Sequence, residues 1–590
     1  VKRILIIIIV LISTAVYGQV EIVPAYDKVY DYLKRMQLKG VIDYNSSILP
    51  LSREKVASFL REVSEKLEVR SEKLEFRDET KNSDGVTSDK VMKNRNKKIE
   101  LSKVEREMLR DFMKEYEYEL TGRTKESVGF LNEPRGRFFI EDRKKYFYKY
   151  DDSVGAVFVN LQGFLSQGVS SGDSLGKNAV TLGNLGFQVR GTVLNTVGFS
   201  LKASNGQKIA GDKKSLDFVT ETLPKFRSFP KFKGESNNFD YFEGYLRYRL
   251  GKDNFAVTLG RDYVNYGFGY MDKLFLSGNS VPFSFIKFDL NFGAFTYNFI
   301  YGSLKGDSLA IKDIAMKNII THRLSVNFSK YFKAGFYEAL ITADRPFNFT
   351  YLNPFSFIRS ADYNAGTEQS GLNNALMGFD VEVTPVKNFA LQGSLLIDDL
   401  NFSTIFSNER DNGKPANDNR FAWQVGAVWT DAFTLPNLNF TTEYTRLNPF
   451  VYTHRTNKSQ YTNWTLPLGH NLPPNSDEVA LKLSYDVTSR LNVNVMYQHQ
   501  RSGTGFEFSG DSLVRNYGGY IHRGDADVSY DDKFLQGKRV DRDLVTVGLR
   551  WMPVYQYVVD FRWVMRNVNN LFEGRRVIDN WLYLTVGVEL

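Results

Sequence analysis

A chain of 590 residues without a single cysteine excludes disulfides, thiolate metal sites, thiol catalysis and a lipid-modified N-terminal cysteine. Its net charge of +8 is modest for that length and sits partly in a Lys- and Arg-rich stretch ahead of the strands, so a solvated face accounts for it and no nucleic acid partner is expected. The 46 Phe, 33 Tyr and 45 Gly, with a mean hydropathy of −0.34, match aromatic girdles combined with a polar lumen and polar loops.

Val1-Lys2-Arg3, the apolar run from Ile4 to Ile12, and Val16 and Gly18 ahead of Gln19 read as a secretory signal peptide over 1–18. The run is too short to cross a bilayer, and no later segment approaches the ~20 apolar residues of a membrane helix. Tyr26, Val29, Tyr30, Leu33 and Met36 share a helical face that Gly40 ends. A second helix follows Pro50, with Ser52 as its cap and Val56, Phe59, Leu60, Val63 and Leu67 as its stripe. From Glu68 to Lys98 the chain is charged or polar, with a turn cluster at Asn82-Ser83-Asp84-Gly85, as in a solvated linker or a frayed helix end. A third stripe comes from Ile99, Val104, Met108, Leu109, Phe112 and Tyr116. Residues 19–125 are therefore expected to form a periplasmic three-helix domain with a charged linker, and 126–153 a connecting segment.

Alternation begins near Arg137 and is regular from Val154, which places an outer-membrane β-barrel over 154–590. The stretch from Asn373 to Leu400 states its rule. Phe379, Val381 and Val383 alternate with Asp380, Glu382 and Thr384; after a turn at Pro385 to Asn388, Phe389, Leu391, Leu395 and Ile397 alternate with Gln392, Ser394 and Asp398. Short connections are expected at Val193–Thr196, Gly251–Asn254, Asp289–Phe292, Pro385–Asn388, Asp486–Arg490 and Pro553–Gln556. Long ones are expected at Asn205–Asn238, Asp344–Gly371, Asn401–Arg420, Asn448–Asp477 and Ser502–Val540. Short periplasmic turns alternating with long external loops mark an outer-membrane barrel, because a soluble sandwich has no reason to segregate them. The count is about 18 antiparallel strands, ending with Asn580 to Leu590; Leu590 departs mildly from the aromatic residue that often closes such barrels.

Several stretches resemble the capsule assembly protein Wzi family. They are Gly40-Val41-Ile42 and Leu49-Pro50-Leu51-Ser52 in the helical part; Leu259-Gly260-Arg261-Asp262, Tyr266-Gly267-Phe268-Gly269 and Leu276-Ser277-Gly278-Asn279 in the barrel; and Asn353-Pro354-Phe355, Gly378-Phe379-Asp380 and Leu396-Ile397-Asp398-Asp399 further on. The resemblance implies an 18-stranded barrel in the Gram-negative outer membrane, a periplasmic helical bundle, and a lectin-like role in which external loops hold capsular or other surface polysaccharide. Lipid and lipopolysaccharide are then the surrounding partners, and polysaccharide export machinery a further one. Sugars offer hydroxyls to amides, carboxylates and guanidinium groups, and C–H faces to aromatic rings. The external loops supply both in Tyr263, Tyr266, Tyr270, Asp272, Asp344, Arg345, Tyr351, Asn353, Arg359, Arg446, Tyr452, Trp464 and His470. Asp380, Glu382, Gln392 and Asp398 are expected to face the lumen, either cross-braced by arginines or, in a porin-like diffusion channel for small polar or sugar substrates, lining an aqueous path.

Catalysis finds no support. His322, His499 and His522 are scattered over strands, His454 and His470 share one loop, and none has a nucleophile-elbow or zinc-protease spacing. Asp398 and Asp399 are adjacent on a strand and point to opposite faces, so they cannot flank one glycosidic bond. Gly267-Phe268-Gly269 opens no helix and is not a phosphate loop. No cofactor or metal is expected.

Overall fold

The computed structural model describes residues 20–79, 101–132, 138–234, 236–251, 254–306, 316–364, 373–398, 410–411, 414–415, 419–455, 458–510, 512–524, 529–530 and 533–590. The expected signal peptide lies outside these residues, as does most of the expected linker and of the 401–420 loop. Among the described residues no helix is long and apolar enough to cross a membrane.

Eighteen antiparallel strands close into a barrel. In chain order they are β1 (Gly155–Gly172), β2 (Asn178–Val193), β3 (Val197–Ala210), β4 (Asn238–Leu250), β5 (Phe255–Asp262), β6 (Phe283–Phe292), β7 (Phe295–Lys305), β8 (Met316–Ser329) and β9 (Phe332–Ala343). There follow β10 (Asn374–Val386), β11 (Phe389–Asp398), β12 (Arg420–Thr430), β13 (Leu438–Leu447), β14 (Ser476–Thr488), β15 (Leu491–Thr504), β16 (Lys538–Trp551), β17 (Tyr557–Asn570) and β18 (Arg575–Glu589). Closure pairs β18 with β1, from Asp579 opposite Gly172 to Glu589 opposite Gln162. Because β1 runs past the end of β18, Tyr148–Asp151 takes up its overhanging edge, opposite Ala156–Val159.

The period-two rule holds across the β10–β11 hairpin, where Phe379 faces Leu395 and Glu382 faces Gln392. Phe379, Val381, Leu391 and Leu395 are exposed on the outer wall, while Asp380, Glu382 and Gln392 are buried on the lumen side. An apolar wall around a polar lumen is the arrangement lipid demands of a spanning sheet. The protein is an outer-membrane β-barrel.

Several boundaries differ from the sequence reading, among them the expected connection from Asn205, where β3 stays paired with β2 as far as Ala210 and the loop starts only beyond it. Asp289–Phe292 is strand, with Asp289 opposite Asn298, and the chain turns one residue later at Gly293, whose φ of +57° suits the missing Cβ. The last strand begins at Arg575 rather than Asn580, since its polar start stands beyond the apolar pattern.

The N-terminal residues form four helices, α1 (Val29–Leu38), α2 (Arg53–Glu79), α3 (Lys103–Glu115) and α4 (Glu117–Thr121), where three stripes were expected. Val29, Leu33, Met36, Val56, Leu60, Val63 and Leu109 share one core. A capping box starts α3: Ser102 Oγ accepts from Glu105 N at 3.0 Å, and Ser102 N donates to Glu105 Oε2 at 2.8 Å. This layer is pinned to the short turns of the barrel. Leu38 O accepts from Asn388 N at 2.8 Å, Arg35 pairs with Asp486 at 2.9 Å, Lys39 with Asp431 at 2.9 Å, and Arg490 with Asp111 at 2.8 Å.

Candidate functional site

Chain from both ends of the barrel fills the lumen. From the turn end, Ile48–Leu49 pairs antiparallel with Asn265–Tyr266, which belongs to the external β5–β6 connection folded inward. Gly267 N donates to Ser47 O at 2.9 Å. From the opposite end, the 448–475 loop closes over the same connection: Tyr452, Tyr461, Leu468 and Leu472 join Tyr266, Phe275 and Leu276 in one buried cluster.

Glu382 and Asp398 bond directly to this filling, Gln392 reaches it through Glu443, and Asp380 braces one strand to another. Asp380 takes a two-pronged bond from Arg323, Nη1 to Oδ2 at 2.9 Å and Nη2 to Oδ1 at 2.7 Å. Gly335 makes room for it, since a Cβ there would collide with the guanidinium and with Asp380. Glu382 binds Lys34 of α1 and accepts from Tyr270 Oη at 3.0 Å. Gln392 donates to Glu443 at 3.2 Å, and Glu443 in turn accepts from the backbone N–H of Tyr270 at 2.7 Å. Asp398 accepts from Tyr452 N at 2.6 Å. Asp380 is braced by an arginine as expected, whereas Glu382, Gln392 and Asp398 bond to a lysine of α1, a glutamate of β13 and the inward loops.

Most of the loop residues proposed from sequence are structural. Tyr266 and Tyr452 are buried, Tyr270 is engaged as above, and Asp272 ties two loops by accepting from Asn279 Nδ2 at 2.8 Å and Asn471 N at 2.9 Å. His470 is buried 3.8 Å from Asp272. Tyr351 is buried and donates to Asp362 at 2.8 Å. Arg446 lies 3.7 Å from the ring centroid of Phe534. Trp464 carries the Lys305 ammonium 5.1 Å from its centroid. Asp344 pairs with Lys458, and Arg345, Asn353 and Arg359 lie along the 344–364 segment outside the barrel wall. Tyr263 lines open space within the lumen.

That space is a cavity of about 480 Å³, within the ~300–1,000 Å³ common for small-molecule sites. The lumen faces of β1 to β4 wall it through Gln162, Phe164, Asn184, Lys202, Ser204, Phe239 and Tyr241. Ala25 and Tyr26 form its floor, and Lys225, Phe226, Phe229, Tyr263, Asn265 and Gly278 its roof. Above it, helix α5 (Lys214–Thr222) lies in the external mouth, with Phe218 stacked on Tyr583 at 5.5 Å.

Rings and charges alternate around this chamber. Tyr26 and Tyr263 meet edge to face at 5.8 Å, Phe226 and Phe239 at 4.9 Å, and the Lys225 ammonium stands 4.3 Å from the Tyr263 centroid. Burial pushes Lys225 down to about 8, partly opposed by Glu243. Tyr26 Oη donates to Glu243 at 3.4 Å. Two amide oxygens in the lining, Asn184 Oδ1 and Asn265 Oδ1, are buried and accept no hydrogen bond from any described residue. Buried acceptors without a donor are costly and uncommon, so the chamber suits a ligand rich in O–H groups with flat apolar faces. Among the described residues no group of His, Asp and Glu could hold a metal ion.

A sequence profile for the capsule assembly protein Wzi matches residues 166–531, more than half of the chain. The chain belongs to the Wzi family. Wzi of Escherichia coli, an outer-membrane protein involved in group 1 capsule assembly and described as a carbohydrate-binding β-barrel, has a similar fold, with a TM-score of 0.50 at 12% identity over 96% of this chain and 99% of that one. OprD of Pseudomonas aeruginosa aligns at a TM-score of 0.40 and 13% identity over 73% and 95% of the two chains. OccK1 from the same organism aligns at 0.42 and 9% over 74% and 98%. Curated proteins return no match to the chain.

The chamber was not apparent in the sequence. Its roof carries a visible signal, the Phe226 to Phe232 run in which three phenylalanines alternate with basic and small residues, but nothing in linear order ties that run to Tyr26 or to the β1–β4 faces.

Proposed function

We propose that the protein binds surface or capsular polysaccharide at the outer membrane, in a lectin-like role without catalysis, and that the lumenal chamber roofed by Tyr263 takes a short stretch of the saccharide. The observation that carries this reading is the pairing of stacking rings with two donor-seeking amide oxygens in one cavity. Membership of a capsule assembly family and the carbohydrate binding described for E. coli Wzi support it. The helical layer at the turn end is a natural docking face for export machinery. The channel alternative draws less support, because Glu382 and Asp398 bind chain inside the lumen and Asp380 and Gln392 are taken up by neighbouring strands.

The test is a gene deletion in the native host, scored by polysaccharide retained on cells against polysaccharide shed into the medium. Deletion is expected to move polysaccharide into the medium at constant total. The wild-type gene restores attachment, and a chain carrying Tyr263→Ala, Asn184→Ala and Asn265→Ala does not, although its barrel still folds by heat-modifiable mobility. Full restoration by the triple variant would assign attachment to another surface. No shift on deletion would remove the attachment role and move bilayer conductance to the front.

A further inference from the structure

Alternation places an ionisable pair of β8 and β9 on the outer face of the wall. Arg323 points into the lumen, so His322 points outward, and its Nε2 lies 3.2 Å from Glu338 Oε2 on β9. His322 is the seventh of fourteen residues in β8, and Glu338 the seventh of twelve in β9. Both therefore sit halfway along their strands, with Glu338 level with Met377 of β10. An ionisable pair facing lipid there is unfavourable unless it is covered.

It is covered. The β9–β10 connection folds back down the outside of the barrel through a short 3₁₀ turn, Phe349–Leu352, and helix α6 (Ile358–Asn364). Tyr351 and Ile358 pack onto the outward residues Phe299, Tyr301, Ile320 and Leu340. Glu338 accepts from Ile358 N at 3.0 Å and Arg359 N at 2.9 Å, which leaves both His322 and Glu338 buried. The segment reaches far along β7: Tyr297, the third residue of that strand counted from the turn end, donates to Pro354 O and stacks on Phe355 at 6.0 Å.

Non-helical backbone at this depth needs its polar groups satisfied without water. Here side chains supply the partners. Asn348 N donates to Tyr301 Oη at 3.3 Å, Thr350 N to Asn348 Oδ1 at 2.9 Å, and Phe355 N to Asn353 Oδ1 at 3.1 Å. Phe347, Phe349, Phe355 and Phe357 keep 49%, 78%, 76% and 68% of their surfaces exposed, although Phe347 and Phe355 each lay one side on the wall, against Tyr301 and Tyr297. Four projecting phenylalanines in an eleven-residue stretch, continuous with the exposed apolar wall of Leu324 and Phe379, are out of place in water. Arg359, the charged residue of the segment nearest this depth, is half-buried and does not project as they do.

We propose that residues 344–364 form a membrane-embedded flap on the outer wall, whose inner face seals the His322–Glu338 pair and whose four phenylalanines pack among the acyl chains of the outer membrane.

The cysteine-free chain makes the test direct. Single variants Phe355→Cys and Phe349→Cys of the full mature protein, each carrying a nitroxide and reconstituted in phosphatidylcholine bilayers, are compared with Leu324→Cys on the bare wall and Ser512→Cys in an external loop. The flap labels are expected to collide with oxygen several-fold more often than with a water-soluble nickel chelate, as at Leu324. Nickel accessibility equal to that at Ser512 overturns the proposal. Low accessibility to both, with spin–spin broadening that grows with protein density, also overturns it and assigns the face to a second copy. Two labelled positions keep the test open if one variant fails to show heat-modifiable folding.

Discussion

The Arg323–Asp380 bond offers the sharpest perturbation of the lumen. Both side chains are essentially without exposure, and Arg323 also donates from Nε to Ser325 Oγ at 3.1 Å. Asp380→Asn leaves a guanidinium buried beside the Phe268 ring, 5.8 Å away, with no opposing charge, and Arg323→Met leaves a lone carboxylate. Breaking a buried pair from one side costs about 3–5 kcal/mol, whereas replacing both partners by neutral groups is often nearly neutral. Each single variant is therefore expected to lose about 3 kcal/mol, the double variant much less, and the coupling between the two sites to be of the same order. A loss of that size shifts the folding equilibrium more than a hundredfold. Guanidinium unfolding of protein reconstituted in vesicles measures the cycle. Coupling below about 0.5 kcal/mol would refute the view that this bond braces β8 to β10 across Gly335.

The helical layer should respond to acid. Arg490 and Lys114 bind Asp142 and hold its carboxyl down at about 2; for Glu115, burial pushes upward but Lys144 and Arg53 outweigh it, again giving about 2. Depressed carboxyls contribute stability that is complete above the ordinary carboxylate range and lost as pH falls through 2, so pepsin is expected to spare residues 101–144 near pH 4 and cleave them near pH 2. Ser102→Ala removes the cap of α3 and should cost about 1 kcal/mol, read as faster amide exchange over Lys103–Glu107 with the barrel unchanged. Glu338→Ala strips the acceptor from two amides and from His322 and should lower stability in vesicles by about 1–3 kcal/mol. Deprotonation of Lys225 removes a cation from the chamber, so binding of an acidic saccharide, measured by calorimetry, is expected to weaken as pH rises from 7 to 9.

Strand periodicity and turn chemistry made the barrel legible because a lipid wall enforces alternation residue by residue: the β10–β11 hairpin could be drawn, faces included, before any coordinates. The lumenal carboxylates were legible for the same reason. The lumenal chamber was not, because Tyr26, Lys225 and Tyr263 reach Lys202 of β3 only through chain that folds inward, and periodicity carries no information about where a loop goes. The same gap misplaced Tyr266, Tyr351 and Tyr452. Each has the composition of a sugar platform, yet each is buried, two in the lumen filling and one against the outer wall. His322 is the instructive case: its outward position beside Arg323 was readable from alternation, but the segment that covers it was not.

The overhang of β1 sets a condition on how the molecule stays soluble at its periplasmic rim. A closed barrel has no free strand margins, but the register between β1 and β18 leaves Ala156–Val159 beyond the reach of the final strand, a short template for any stray extended peptide. Tyr148–Asp151 occupies that template from within the same chain. With it in place the backbone of Ala156–Val159 is paired on both sides, to Tyr148–Asp151 and to β2.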